Sequence, residues 1–250
     1  MQRYTLECCV DSVESALAAE KGGATRLELC SALVVGGLSP SVALFHAVKE
    51  RCSLPINVLL RPRYGDFCYT DAEIDVLRRE VELFCAEGAN GVVIGCLAPD
   101  GSLHETHLRT LISVADCKEI TLHRAFDMCA DPMAALQTAK ALGFTSILTS
   151  GAQNHCREGK ALLTALANAA QGTPEILVGA GVSAEIIADF LRDTPLKSFH
   201  MSGKEVLQSA MQFRNPNVSM GAASLNEYEI WRTNAENVQK AASVLQGPAI

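Results

Sequence analysis

Two short phrases near the start of the chain, Leu6-Glu7-Cys8-Cys9 and Leu27-Glu28-Leu29-Cys30, each set a carboxylate and a thiol two residues apart. Residues two apart on an extended strand share a face, so Glu7 projects with Cys9 and Glu28 with Cys30. If the two strands are neighbours, two carboxylates and two thiols converge. An unpaired carboxylate is costly to bury, so strands ending in such pairs are expected to open into a site. Cys8, between Glu7 and Cys9, is expected to point the other way, toward flanking helices.

Further polar groups end later apolar runs: Arg61 and Arg63, Cys96, His123 with Arg124 and Asp127, Thr149 and Ser150, Gly179-Ala180-Gly181, and His200 with Ser202. Short β-rich runs that would carry them alternate with longer Ala/Leu/Glu-rich segments, the pattern of successive βα units. The strands are read as Leu6–Cys9, Arg26–Cys30, Ile56–Leu60, Gly91–Gly95, Ile120–His123, Ser146–Thr149, Ile176–Gly179 and Ser198–Met201. The helices are read as Ser12–Lys21, Ser41–Arg51, Asp71–Glu87, Glu105–Ala115, Pro132–Leu142, Gly159–Ala170 and Ser183–Arg192, with a last one around Glu227–Leu245. Ser12, Asp71, Asp131 and Ser183 stand where N-caps belong, and Pro132 suits a first helical position. Glycines at 22–23, 88 and 143 repeat one helix-to-strand joint. Eight such units without a composition break predict a single α/β domain over residues 1–250, a closed (β/α)8 TIM barrel with its site at the strand carboxyl ends.

The 250 residues are 48% hydrophobic and 5% aromatic, which suits a core of aliphatic strands and helices. A net charge of -7, with no basic run interleaved with aromatics, argues against nucleic-acid binding. No signal peptide and no membrane span are legible, so the protein is expected in the cytoplasm, apart from membranes. The ten cysteines are scattered without a Cys-x-x-Cys. Most are expected to be small buried hydrophobes, including Cys52, Cys85 and Cys117 in helical or helix-end contexts. The irregular stretch Arg61 to Thr70 is a candidate cover for the barrel mouth, and Gln212 to Ser224 a tail or an oligomer contact. His104 and His107 read as a solvated first helical turn, His46 and His155 as surface or satisfied core. Trp231 reads as packing or a subunit contact.

The chain resembles the CutC family of copper-homeostasis proteins. The resemblance is carried by Glu7-Cys8-Cys9-Val10-Asp11-Ser12-Val13-Glu14-Ser15, Leu27-Glu28-Leu29-Cys30-Ser31, Arg61-Pro62-Arg63 with Gly65-Asp66-Phe67, His123-Arg124-Ala125-Phe126-Asp127, Leu148-Thr149-Ser150-Gly151 and Phe199-His200-Met201-Ser202. It implies a cytoplasmic barrel, often a homo-oligomer, with a dimer expected here. It also implies a copper ion as partner, held as Cu(I) by the thiols at Cys9 and Cys30. Where the family usually has an aliphatic residue, this chain has Cys8. Sulfur donors suit Cu(I), and a neighbouring Arg61 or Arg124 favours the thiolate, whereas Glu7 and Glu28 oppose it.

A barrel enzyme is the alternative. Glu7, Glu28 and His123 supply acid/base groups, Arg61, Arg63 and Arg124 supply anion clamps, and Asp127 and His200 complete the charged mouth. Gly181, with Ser202 and Gly203, occupies the place where many barrels cradle a phosphate on backbone N–H groups. Such a set suits isomerase, aldolase or hydrolase chemistry on a small phosphorylated or carboxylated metabolite.

Overall fold

The computed structural model describes residues 4–220 and 226–247. Eight parallel strands close in chain order into a barrel: β1 (Thr5–Val10), β2 (Arg26–Leu29), β3 (Ile56–Leu59), β4 (Gly91–Ile94), β5 (Glu119–Leu122), β6 (Ser146–Thr149), β7 (Glu175–Val178) and β8 (Ser198–Met201). Helices follow them: α1 (Val13–Lys21), α2 (Val42–Lys49), α3 (Asp71–Ala86), α4 (Glu105–Ile112), α5 (Pro132–Leu142), α6 (Lys160–Ala170), α7 (Ala184–Asp193) and α8 (Ala235–Gln246). The expected (β/α)8 barrel is thus present. Local chemistry fixes the helix starts: the Ser12, Ser41, Asp131 and Ser183 side chains each accept a backbone N–H of the first turn. Asp71, expected as a cap, is instead the first helical residue. Thr70 caps α3 in a reciprocal box with Glu73.

Strand alternation sorts side chains into two environments. One face, with Cys8, Val10, Leu27, Leu29, Val58 and Ile94, packs against the helices in the main apolar core. Burial of this aliphatic surface is the chief driving force of the fold. Cys8 sits on the helix side, as the alternation predicts. The inward face carries a polar layer below a small apolar cluster of Cys30, Leu59 and Val93. In that layer Arg26 pairs with Glu7 at 2.6 Å and Glu119 at 2.7 Å, and the Asn57 amide donates to Glu119 at 2.9 Å.

The region after β8 departs from expectation. Lys204–Gln208 (β9) and Glu229–Thr233 (β10) form a two-stranded antiparallel sheet, with Trp231 opposite Val206. The expected last helix therefore begins only at Ala235, capped by Asn234. The run Ile230-Trp231 has strand-forming side chains, and Lys204, 3.2 Å from the Trp231 ring centroid, ties the two strands together. Residues 212–220 carry no helix or strand, and 221–224 lie outside the described residues.

Candidate functional site

Parallel register brings the site together. Glu7 lies level with Arg26 on β2 and with His200 on β8, and Cys9 lies level with Glu28. His200 Nδ1 is 2.8 Å from Glu7 Oε1, and its Nε2 is 3.8 Å from Glu28 Oε2. Cys9 and His200 line the same cavity. Glu7 is completely buried and lies beneath the mouth, held by Arg26 and His200. Sequence reasoning missed Arg26, which enters the barrel at the start of β2. The alternation Arg26-x-Glu28-x-Cys30 was the available signal.

The charges of this group diverge with their surroundings. Burial pushes the Glu7 carboxyl upward, but Arg26 and His200 outweigh it and hold it at about 2. Glu28 has no such guanidinium contact. Burial, opposed by His200 and reinforced by Glu7, lifts its carboxyl to about 7. Burial works against a charged His200, yet Cys9, Glu28 and Glu7 together raise it well above the usual imidazole range. The ring is therefore an imidazolium wedged between two carboxyl groups.

Cys9 lines the mouth cavity, which has a volume of about 400 Å³ and also receives Glu28, Arg61, His123, Arg124 and His200. Cys30 lies behind it, fully enclosed with Leu59 and Val93, and its thiol donates to the Val10 carbonyl at 3.5 Å. Burial and the nearby Cys9 push the Cys30 thiol well up.

Around the rim, the expected cationic and acidic residues divide. Arg61 spends its terminal nitrogens on the Val35, Gly37 and Gly65 carbonyls and packs over Phe67 at 4.8 Å. The stretch after β3 thus forms a wall of the mouth through Phe67, whose ring centroid is 4.9 Å from that of His123. Arg63 turns away to Asp66 and Glu73. Asp127 is occupied as an anchor: it accepts from Thr149 Oγ1 at 2.5 Å, from the Ser150 and Ala152 amides, and from Arg124 at 2.7 Å. The His123 ring accepts the Ala125 N–H on Nδ1, and burial and then Arg61 lower it to about 3. It is a neutral imidazole with its proton on Nε2.

The residues expected to form an anion cradle do not all reach the cavity. Gly181 and Ser202 line the cavity, but Gly203 does not and packs instead against Val238 of α8. The His155 ring lies on Gly181, so close that a Cβ there would fall 1.9 Å from Nε2. Trp231, read from sequence as packing or a subunit contact, lines the mouth with Lys204 and Arg232.

Comparison with known proteins places this geometry. The model of the CutC family matches residues 4–205. The human copper homeostasis protein cutC homolog is 40% identical over 237 residues, covering 94% of this chain and 87% of that protein. The chain belongs to the CutC family. A CutC family protein of Porphyromonas gingivalis is 39% identical over 243 residues, covering 97% of this chain and 98% of its own. The crystal structure of a CutC copper homeostasis protein from Streptococcus agalactiae aligns with a TM-score of 0.76 at 26% identity, over 80% of this chain and 99% of that one.

For a CutC barrel, two donor sets meet at the mouth. Glu7, Glu28 and His200 offer ligand atoms all within 4.8 Å of one another. Oxygen and imidazole donors suit harder or borderline cations, and an imidazolium donates through both nitrogens and cannot ligate until it loses a proton. The soft set is Cys9 at the cavity and Cys30 behind it, adjacent to one another.

Proposed function

We propose that this CutC family member is a copper-homeostasis protein that binds Cu(I) at the barrel mouth, with Cys9 and Cys30 as its sulfur ligands. The family and the named relatives support the copper connection. The carrying observation is the closeness of a cavity-lining thiol and a second thiol directly behind it, on neighbouring strands. Loading breaks the Cys30 S–H contact to Val10, and both thiol protons leave as the metal–sulfur bonds form. The resulting bis-thiolate complex carries one negative charge, which the His200 imidazolium that shares the cavity with Cys9 offsets. Ten free thiols among the described residues suit a reducing cytoplasm. No helix among the described residues is long and apolar enough to cross a membrane. Exposed Leu207, Met211 and Phe213, on and just beyond β9, support a homodimer contact there. Anaerobic titration with Cu(I) against a competing chelator tests the reading: Cys9→Ser and Cys30→Ser should each lose one equivalent relative to the wild type. An unchanged stoichiometry in both would overturn it.

The enzymatic reading has its own observation. Among the described residues Glu28 Oε1, Arg61 Nε and His123 Nε2 are buried without a hydrogen-bond partner, and all three residues line the cavity. Arg124, Lys204 and Arg232 add positive charge around it. One acceptor and two donors in a cavity of this size fit a small anionic metabolite. Calorimetric titration with phosphate and with malonate checks this, and binding that survives Arg61→Met and His123→Asn would count against it.

A further inference from the structure

The paired strands β9 and β10 bring Lys204, Trp231, Arg232 and Thr233 to the wall of the mouth cavity. The root of this ribbon is fixed there. The Thr233 amide donates to Ser15 Oγ at 3.1 Å and its hydroxyl to the Ser202 carbonyl at 3.0 Å, and the Asn234 amide donates to the Gly203 carbonyl at 2.9 Å. Among the described residues the two cations of the ribbon have no carboxylate partner. Lys204 lies 3.2 Å from the Trp231 ring centroid, and Arg232 donates to the Trp231 carbonyl at 3.0 Å. Arg61, Arg124, Lys204 and Arg232 line the cavity against only Asp11 and Glu28 of opposite sign. In a chain of net charge -7 this is a local excess of positive charge, which draws anions to the mouth.

A second set of groups stands across the mouth from the ribbon. In the closed barrel β4 lies opposite β8 and is flanked by β3 and β5, and Arg61 and His123 follow β3 and β5. Both pack on the Phe67 ring, at 4.8 and 4.9 Å from its centroid. Arg61 is 9% and His123 4% exposed, and Arg61 Nε and His123 Nε2 lack a hydrogen-bond partner. Two unused donors in a buried wall call for an acceptor oxygen. We infer that the mouth takes a small phosphate monoester, held through its phosphate by Lys204 and Arg232 and through a carbonyl or hydroxyl oxygen by Arg61 and His123. The assignment rests on the mouth being a site for a small anionic metabolite, and adds the class of that ligand and its orientation. A phosphate monoester carries nearly two negative charges at pH 7, which two unpaired cations balance, whereas a carboxylate carries one. Lysine meets phosphate as a point charge and arginine as a fork. α7 begins at Ala184, just after Gly181 and Val182 of the cavity wall, so its positive end adds to the same field. Inorganic phosphate and a neutral polyol each satisfy one side of the mouth and leave the other unmet.

The test is calorimetric titration of the full chain with glycerol 3-phosphate and dihydroxyacetone phosphate, compared with glycerol, glycerate and inorganic phosphate. At least one of the two esters should bind about tenfold or more tighter than any comparator, since a hydrogen bond to a charged group is worth at least that factor. Trp231 is the only tryptophan of the chain, so its emission should change as the ester saturates the mouth. Lys204→Met should weaken the ester about tenfold, and Arg232→Met and His123→Asn should act in the same direction. Lys118→Met, just before β5 at the opposite end of the barrel, should leave it unchanged. Circular dichroism confirms that each variant is folded, and Lys204→Gln and Arg232→Gln serve if the methionine variants are not. Esters that bind no tighter than inorganic phosphate, or that are indifferent to both Lys204→Met and Arg232→Met, would overturn the proposal. Malonate separates the two possible failures. If malonate binds and Arg61→Met abolishes it while the esters fail, the mouth is an anion site and only the phosphate assignment falls; if no anion binds, both fall.

Discussion

His200 and Glu7 face each other across neighbouring strands, Nδ1 to Oε1 at 2.8 Å, in register as a direct lateral pair. Glu7 is ionised and saturated between Arg26 and His200, while Cys9, Glu28 and Glu7 together keep the ring protonated and its other nitrogen lies toward Glu28. Glu7 thereby acts as a support beneath the cavity rather than as a ligand or base within it.

Glu7→Gln should accordingly be costly. The amide keeps the shape but removes one of the two carboxylate charges that pair with Arg26, a residue only 7% exposed. Breaking a buried pair by removing one partner costs about 3–5 kcal/mol, readable as a shifted urea midpoint. Adding Arg26→Met should recover part of the loss. A cost below about 1 kcal/mol for the single variant would contradict the inferred role, given that range for buried pairs.

Asp127→Asn should loosen the loops after β5 and β6 together. The carboxylate gathers the Thr149 hydroxyl, two backbone amides and Arg124, and an amide nitrogen would turn a donor toward donors. A loss of about 2–3 kcal/mol is expected for such charged hydrogen bonds. Hydrogen exchange at Ser150 and Ala152 should accelerate, whereas exchange in β1 should not change.

The barrel was legible because its period is local. Each strand alternation, N-cap and glycine joint is written within a few residues, and the eight strands fall within a residue or two of their expected places. β9 and β10 were not legible, because an isolated pair of strands is defined by a partner more than twenty residues away. At the site, Glu28, Cys9, His123 and His200 were readable as strand-terminal polar groups. That Glu7 belongs to Arg26, that Asp127 is saturated and that Cys30 sits behind Cys9 depend on barrel stagger, which no spacing within one strand encodes.

Gly181→Ala should distort the mouth. Gly181 has φ +74°, and a Cβ would strike the His155 ring. The left-handed backbone alone costs an L-residue about 1–2 kcal/mol, and displacement of the ring adds to it. Combining the change with His155→Ala should remove the second part and leave the first, so the two effects should couple in a double-mutant cycle. Simple additivity would show that the ring does not rest on this glycine.

His123 supplies a pH dependence whose sign follows from its surroundings. Burial and Arg61 hold its folded-state value at about 3, below the ordinary imidazole value of 6.5. Between those values the unfolded chain binds a proton that the folded chain refuses, so stability rises with pH through this window. The contribution is fully present above about pH 6.5 and is lost as pH falls toward 3; by pH 5 the loss is about 2 kcal/mol at 1.36 kcal/mol per unit. His123→Asn keeps an acceptor near the Ala125 amide but cannot titrate. Urea unfolding at pH 7.5 and pH 5 should therefore show a smaller acid loss in the variant than in the wild type. Equal losses would mean that the imidazole is protonated in the fold, and its assignment as a neutral Nε2–H donor facing the cavity would fall with it.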